Sequence, residues 1–191
     1  SYKSEKTPLY NAIEKENIEI IKLLLSSPNI NVNFGNTLNG VNYSPLHLAI
    51  EKGNIEIIQL LISHEKININ DGSYHFAIDN DDNECTTTES KTPLFIAVEK
   101  ENIEAIKLLL SCEKIRFSNG YSLAKLKYEN DKFHFIKCER KAPLYLAIEK
   151  ENVEIVSVLI SYEKTDVNFG YKSEELINDE EILTINETPL Y

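Results

Sequence analysis

The chain has 191 residues, 42% hydrophobic and 27% charged, the balance of a folded rather than a disordered polypeptide. Its formal net charge of -11 excludes a nucleic-acid backbone as general partner, because phosphate binding needs clustered lysine and arginine. No apolar run reaches the ~20 residues that cross a bilayer, so no membrane insertion is expected.

In chain order, the first predicted elements lie in TPLYNAIEKENIEIIKLLLSSPNINVN, from Thr7 to Asn33. The Thr7 hydroxyl suits a helix N-cap, and Pro8 suits the first helical position, where a missing N–H costs nothing. The spacing predicts a short helix from about Pro8 to Lys15, with Leu9, Ala12 and Ile13 on its buried side. After the polar E-K-E-N comes a second helix. Ile18, Ile21, Leu24 and Leu25 recur there at helical spacing, and Ile20 and Leu23 widen the stripe.

The unit returns at Ser44, Thr92 and Ala142, and its first four residues return at Thr188–Tyr191. Five of the six prolines occupy the same slot: Pro8, Pro45, Pro93, Pro143 and Pro189. Helix pairs this short cannot bury their stripes alone, so the copies must stack. The small Ala12, Ala49, Ala97 and Ala147 let neighbouring helices approach closely. Ala142 puts no hydroxyl at the fourth cap, at a cost of roughly 1 kcal/mol. The chain contains no methionine; with the interrupted fifth copy, this reads as a fragment of a longer array.

The prolines are 37, 48, 50 and 46 residues apart, while the helical parts keep nearly constant length. The excess therefore lies in the connections, and the last three read as lengthened β-hairpins. In the second, YHFAI and ECTTTE flank Asp79–Asn83. In the third, LAKLKY and KFHFIKC flank Glu129-Asn130-Asp131. Pairing across that turn places Leu126, Tyr128, Phe133 and Phe135 on one face and Lys125, Lys127 and His134 on the other. In the fourth, EELI and EILTI flank Asn178-Asp179-Glu180, although Ser173-Glu174-Glu175-Leu176 also fits a helical turn. Charge separates the hairpins. From Asp71 to Lys91 six acids face one base; from Tyr121 to Lys141 six bases face three acids; from Asp166 to Glu187 seven acids face Lys172 alone. A basic hairpin stands between two acidic ones, and the first connection, Phe34 to Tyr43, carries no charge.

T-P-L-H-x-A, a turn, E-I-V-x-L-L-L and V-N together resemble the ankyrin repeat, a unit of about 33 residues. SPLHLA, Ser44 to Ala49, is the nearest match. His47 fills the family's histidine slot there, as a hydrogen-bonding helix-start residue, and Tyr10, Phe95 and Tyr145 fill it elsewhere. Asn31-Val32-Asn33 and Asp166-Val167-Asn168 match the family's segment before the strand, whereas Ile115-Arg116-Phe117-Ser118 departs from it. The glycine between the helices survives only as Gly53. Glu16, Glu101 and Glu151 replace it, and a side chain there costs on the order of 1 kcal/mol if the position keeps positive φ. The wording, rich in Asn, Ile, Lys and Glu, is similar to ankyrin proteins of AT-rich unicellular eukaryotes.

The resemblance implies an α-dominated solenoid of stacked helix pairs with extended β-hairpin fingers, one domain over residues 1–191 with repeats starting near 7, 44, 92 and 142. It implies a non-catalytic scaffold or adaptor that binds a protein partner through its concave face and fingers. A structural spacer or self-associating scaffold is the alternative. The repeated pairs Glu14-Lys15, Glu51-Lys52, Glu99-Lys100 and Glu149-Lys150 are identical in all copies and read as a uniformly solvated rim, so specificity is assigned to the unlike fingers. Their charges either set the spacing of neighbouring fingers or pattern a surface for a partner. The candidate contacts are Lys125, Lys127 and Lys132, with Tyr43, Tyr74, Phe76, Tyr128 and Phe133 as aromatic anchors; packing between fingers is the competing role of those aromatics.

Other chemistry finds little support. Asp79-Asn80-Asp81-Asp82-Asn83-Glu84 begins like a calcium loop but has Glu84 where glycine is required and Ser90 where the bidentate glutamate belongs. His134 and Cys138, at even spacing on one strand, share a face but no further ligand cluster accompanies them. No nucleophile elbow or phosphate-cradling glycine loop is present, and no cofactor or metal is expected. Cys85, Cys112 and Cys138 lack framework spacing and fit reduced thiols in an intracellular, cytoplasmic setting. A monomer is the expected state.

Overall fold

The computed structural model of the chain describes residues 5–38, 41–78, 85–117, 120–129, 132–178 and 181–188. It forms two compact units, Ser1–Ser73 with Thr92–Ile115 and Tyr74–Lys91 with Arg116–Tyr191.

The first unit starts with a short strand β1 (Glu5–Lys6), helices α1 (Pro8–Glu14) and α2 (Ile18–Leu25), and the hairpin β2 (Asn36–Leu38) and β3 (Val41–Tyr43). Helices α3 (Pro45–Lys52), α4 (Ile55–Ile62), α5 (Pro93–Glu99) and α6 (Ile103–Leu110) follow. The first helix of each pair starts at a hydroxyl that accepts from the N–H three residues on. Thr7 Oγ1 accepts from Tyr10 at 3.2 Å, Ser44 Oγ from His47 at 3.2 Å and Thr92 Oγ1 from Phe95 at 3.4 Å. The second helices have asparagine caps, which the sequence reading places only in the turn. Asn17, Asn54 and Asn102 accept from Ile20, Ile57 and Ala105 at 3.1, 3.2 and 3.0 Å.

These helices have seven or eight residues, too few to persist alone in water, so burial holds them. α1 packs on α3 and α3 on α5, while α2 packs on α4 and α4 on α6. Leu9, Ile13, Ile21, Leu46, Ile50, Ile57, Ile58, Leu61, Leu94, Ile106 and Leu109 are fully buried, each worth roughly 1.5–3 kcal/mol of transfer from water. Ala12, Ala49 and Ala97 are buried where first helices meet. Ile115, in the slot of Ile30 and Ile67, is buried, and Phe117 stands in the slot of the buried Val32 and Ile69, so the atypical third segment keeps apolar residues at both positions.

The turn between paired helices keeps its left-handed residue whatever occupies it. Gly53 has φ +69°, and Glu16, Glu101 and Glu151 have φ +53°, +55° and +55°. Glu16 recovers part of the strain through its side chain: its carboxylate accepts from Asn54 Nδ2 at 2.9 Å and Lys52 Nζ at 3.3 Å in the next copy. The Asn54 hydrogen bond, then Lys52, holds that carboxyl below its usual range. Glu151 makes no such side-chain contact among the described residues. Glu151→Gly is therefore expected to stabilise the chain by about 0.5–1 kcal/mol, a melting-temperature rise of about 1–4 °C. Glu16→Gly should yield a smaller gain, and equal gains in thermal melts would show that the Asn54 and Lys52 contacts contribute nothing.

The second unit holds the long hairpins. Strand β4 (Ser73–Ile78) neighbours β5 (Cys85–Lys91); β6 (Tyr121–Glu129) and β7 (Lys132–Lys141) follow, then helices α7 (Pro143–Glu149) and α8 (Val153–Ile160), then β8 (Tyr171–Asn178) and β9 (Glu181–Glu187). From β5 to β9 the strands lie in chain order, each antiparallel to the next. The three lengthened connections form strands where predicted. Ser173–Leu176 lies inside β8 and not in a helical turn. The helix-dominated expectation needs correction here, because β7 with ten residues exceeds any helix, the longest having eight. Phe117, in the atypical third segment, packs on Tyr162 with ring centroids 4.8 Å apart.

At the start of α7, Ala142 has φ -77° and ψ 152°, the backbone of a capping residue. Its N–H donates to Gly170 O at 3.0 Å, as the N–H of Thr7 donates to Gly35 O at 2.9 Å. Only the hydroxyl is missing. Ala142→Ser is expected to add about 1 kcal/mol, readable as a higher urea midpoint with unchanged slope.

Candidate protein-interaction surface

The register of β5 to β9 decides which predicted contacts meet. Lys125 stands opposite Lys137, Leu126 opposite Phe135, Lys127 opposite His134 and Tyr128 opposite Phe133. Positions 126, 128, 133 and 135 therefore share one face and positions 125, 127 and 134 the other, as predicted. Between the Lys125 and Leu126 pairings the partner moves from Lys137 to Phe135, which leaves Ile136 as a bulge. A bulge reverses the alternation of faces along its own strand. His134 (opposite Lys127) and Cys138 (opposite Ala124) thus lie on opposite faces. The expectation that they share one is corrected, and a two-residue metal grip with it.

The face of Lys125 is also the face on which α7 sits. Lys141 on β7 pairs in register with Tyr171 on β8, and Tyr171 with Glu187 on β9. Tyr145 of α7 stacks on Tyr171 with centroids 5.8 Å apart and donates its hydroxyl hydrogen bond to Glu187. Lys141 Nζ lies 5.5 and 5.6 Å from the two ring centroids and reaches both carboxylate oxygens of Glu149 at 3.0 and 2.8 Å. The hydrogen bond to the Glu187 carboxylate favours the protonated phenol, and the Tyr145 pKa is pushed up to about 12, so Tyr145 is a donor at neutral pH. The sequence reading did not find this cluster. Its signal is the register: Lys141, Tyr171 and Glu187 each begin or end a hairpin strand, so they align at the base of the sheet.

The same grip recurs in the first unit, where Lys6 Nζ reaches both oxygens of Glu14 at 2.8 and 2.9 Å. Glu14 and Glu149, read as part of a solvated rim, thus each receive a lysine from the preceding strand. Both pairs are part-exposed and contribute a few tenths of a kcal/mol each.

Further from α7 the face becomes basic. Lys125 and Lys137 are like charges directly opposed, an arrangement that destabilises a sheet. Lys137 is offset by Glu139 at 2.7 Å and stands opposite Glu175 on its other side. The hydrogen bond to Glu139 raises its pKa above the ordinary lysine value. On the opposite face Lys172 lies 2.5 Å from Glu174, which lowers the Glu174 pKa. Both close pairs lie within single strands, and Lys137 also faces Glu175 of the next hairpin.

Lys125 and Lys127 are half-buried and His134 is exposed. Tyr43 is half-buried opposite Asn36 in the first unit. Tyr74, Phe76, Tyr128, Lys132 and Phe133 lie on strands, but their side chains, and the whole of Asp79–Glu84, lie outside the described residues. His47 is buried and spans two elements: its Nε2 accepts from the Ser73 N–H at 3.0 Å and its Nδ1 lies 2.8 Å from Ser44 Oγ. Among the described residues no group of three or more His, Cys, Asp and Glu side chains could hold a metal ion, and no helix is long and apolar enough to cross a membrane.

Among curated proteins none matches the chain. Solved structures that share its fold include EF0377, an ankyrin repeat protein, at 18% identity and TM-score 0.57 over 88% of this chain and 67% of that one. The ankyrin repeat domain of Bcl-3, of the IkappaB protein family, matches at 19% identity and TM-score 0.56 over 85% of this chain. The Legionella pneumophila effector AnkC matches at 16% and 0.52 over 83%. The chain spans 57% and 46% of the length of the latter two. The family description of ankyrin repeats in three copies matches residues 1–73, 35–118 and 74–170. With its hydroxyl-capped helix pairs, left-handed turns and hairpin connections, the chain belongs to the ankyrin repeat family.

Proposed function

We propose that the chain is a non-catalytic protein-binding scaffold that receives an acidic segment of a partner protein on the hairpin face beside α7. Ankyrin repeat proteins generally mediate protein–protein interactions, which supports the class of function. The observation that carries the finer reading is the like-charge pair Lys125 and Lys137. Stability alone favours opposite charges at directly opposed positions. A basic strip kept there, between acidic hairpins, is what a partner with acidic groups recognises, and it fixes orientation and on-rate more than raw affinity. Lys127 and Lys132 extend the strip on the same face, while Tyr128 and Phe133 lie on the opposite one and do not anchor this segment. An intracellular, cytoplasmic setting belongs to the same proposal.

Affinity capture with the intact chain and with K125E/K127E/K132E tests it. Proteins retained by the intact chain are expected to fall at least about tenfold on the variant, a loss of about 1.4 kcal/mol, while the circular dichroism spectrum stays unchanged. Equal capture by the two chains would sink the hairpin reading.

A further inference from the structure

Just after each second helix, one residue holds the same backbone slot in every copy. Ser27, His64, Cys112 and Tyr162 each donate their N–H to the carbonyl three residues back and accept from the N–H three residues on. Two residues beyond those donors, which are Ile30, Ile67, Ile115 and Thr165, lies a second slot, filled by Val32, Ile69, Phe117 and Val167.

The two slots meet across neighbouring copies. Phe117 of the third copy packs on Tyr162 of the fourth with ring centroids 4.8 Å apart and planes tilted by 31°. One copy earlier the same slots hold Ile69 and Cys112, and both line a cavity of about 310 Å³ within the first unit. Ile62, Ile67 and His64 line it too. Two rings fill the later junction from within the chain. An isoleucine and a cysteine carry no ring, so the earlier junction keeps room for one.

Two polar atoms give that room a direction. His64 Nδ1 accepts from the Lys66 N–H at 3.2 Å. A backbone N–H can only donate, so the ring proton sits on Nε2, which has no hydrogen-bond partner among the described residues. Cys112 Sγ lies 3.6 Å from Leu108 O, and burial pushes its thiol up. The sulfur is therefore a neutral, polarizable wall, of the kind that contacts aromatic rings favourably.

We propose that this cavity binds a single aromatic ring bearing a hydroxyl group, a phenol, which supplies beside Ile69 the ring that Tyr162 supplies beside Phe117. The isoleucines and Cys112 bury the ring, and the phenol oxygen accepts from His64 Nε2–H. Apolar walls with one directional polar group are the composition of a small-ligand site, and the volume is of that order. The phenol is a free small molecule or the side chain of a partner's tyrosine; the recognising chemistry is the same. The cavity shares no residue with the hairpin strip, so this inference and the proposed function fail separately.

Titration of the intact chain with 4-methylphenol up to about 10 mM, followed by amide chemical shifts, is the test. Saturable shifts are expected at Ile62, His64, Ile67, Ile69 and Cys112, with a dissociation constant of about 1 mM or tighter, the scale of one small ring. The saturated analogue 4-methylcyclohexanol should bind at least about tenfold more weakly, since it lacks the flat ring that sulfur contacts. N-acetyltyrosinamide separates the sources: binding as tight as that of 4-methylphenol assigns the site to a partner's tyrosine, and weaker binding assigns it to a free phenol. Cys112→Tyr, which places the fourth copy's ring in the slot, should lose 4-methylphenol binding with unchanged circular dichroism, and His64→Leu should weaken it several-fold. The proposal is overturned if the intact chain shows no saturable shifts at these residues, if the saturated analogue binds as tightly, or if folded C112Y or H64L binds like the parent.

Discussion

Replacing Gly35 with alanine is expected to destabilise the chain by about 3 kcal/mol, the upper part of the range for overpacking. A Cβ at Gly35 would lie 2.1 Å from the Tyr43 carbonyl oxygen, 2.7 Å from the Tyr10 ring and 3.2 Å from Pro45 Cδ. The nearest obstacle is backbone, and that backbone is committed. Tyr43 pairs with Asn36 across the first hairpin, Gly35 O accepts the Thr7 N–H, and Thr7 Oγ1 donates to Phe34 O at 3.2 Å. Any shift that admits the methyl group loosens the cap of α1 or the base of the hairpin. Thermal unfolding should show a drop of roughly 6–12 °C; a drop under about 2 °C would mean that the hairpin base slides freely. Gly72, Gly120 and Gly170 hold the same slot before the other hairpins and are buried, and Gly170 O accepts the Ala142 N–H as Gly35 O accepts that of Thr7.

The second large effect belongs to His47. The Ser73 N–H can only donate, so Nε2 is the acceptor and the ring proton sits on Nδ1, donated to Ser44 Oγ. That oxygen also takes the His47 backbone N–H at 3.2 Å. One buried imidazole thus joins a helix cap to the first residue of β4. His47→Phe keeps an aromatic ring, as Phe95 does in the third copy, but leaves the Ser73 N–H without its acceptor. The expected cost is about 2 kcal/mol. His47→Gln, which restores an acceptor on a flexible chain, should cost less. Denaturant unfolding of the two variants separates the hydrogen bond from the packing, and a Phe variant as stable as the parent would remove the bond from the account.

Much of the fold is legible along the chain because its signals are local. Thr7, Ser44 and Thr92 each act on an N–H three residues away, and the prolines mark one slot. Even the glutamates in the glycine slot betray their strain, since the helix on either side dictates the backbone between. Asparagine in the turn holds the same slot in all four copies and caps the second helix, including Asn152, which accepts from Ile155 at 3.1 Å; that signal lies in plain view and is missed only when the turn is read as solvent. The candidate surface is less legible. Lys125 and Lys127 fall on their predicted face, but Tyr145, Lys141, Glu149, Tyr171 and Glu187 come together across gaps of up to 46 residues, and no local period links them.

The sequence by itself determined the repeating helix pair, its caps and turns, and the place and charge of each long hairpin, because these depend on neighbours within four residues or on a pattern repeated at a fixed slot. Only the tertiary structure decided which side chains meet across strands. One bulged residue, Ile136, sends His134 and Cys138 to opposite faces, and register alone brings Lys125 opposite Lys137 and lays Lys141 against Tyr145 and Tyr171. Such pairings are set by how whole strands slide against one another, a choice made by the packed sheet and not by any single stretch of chain.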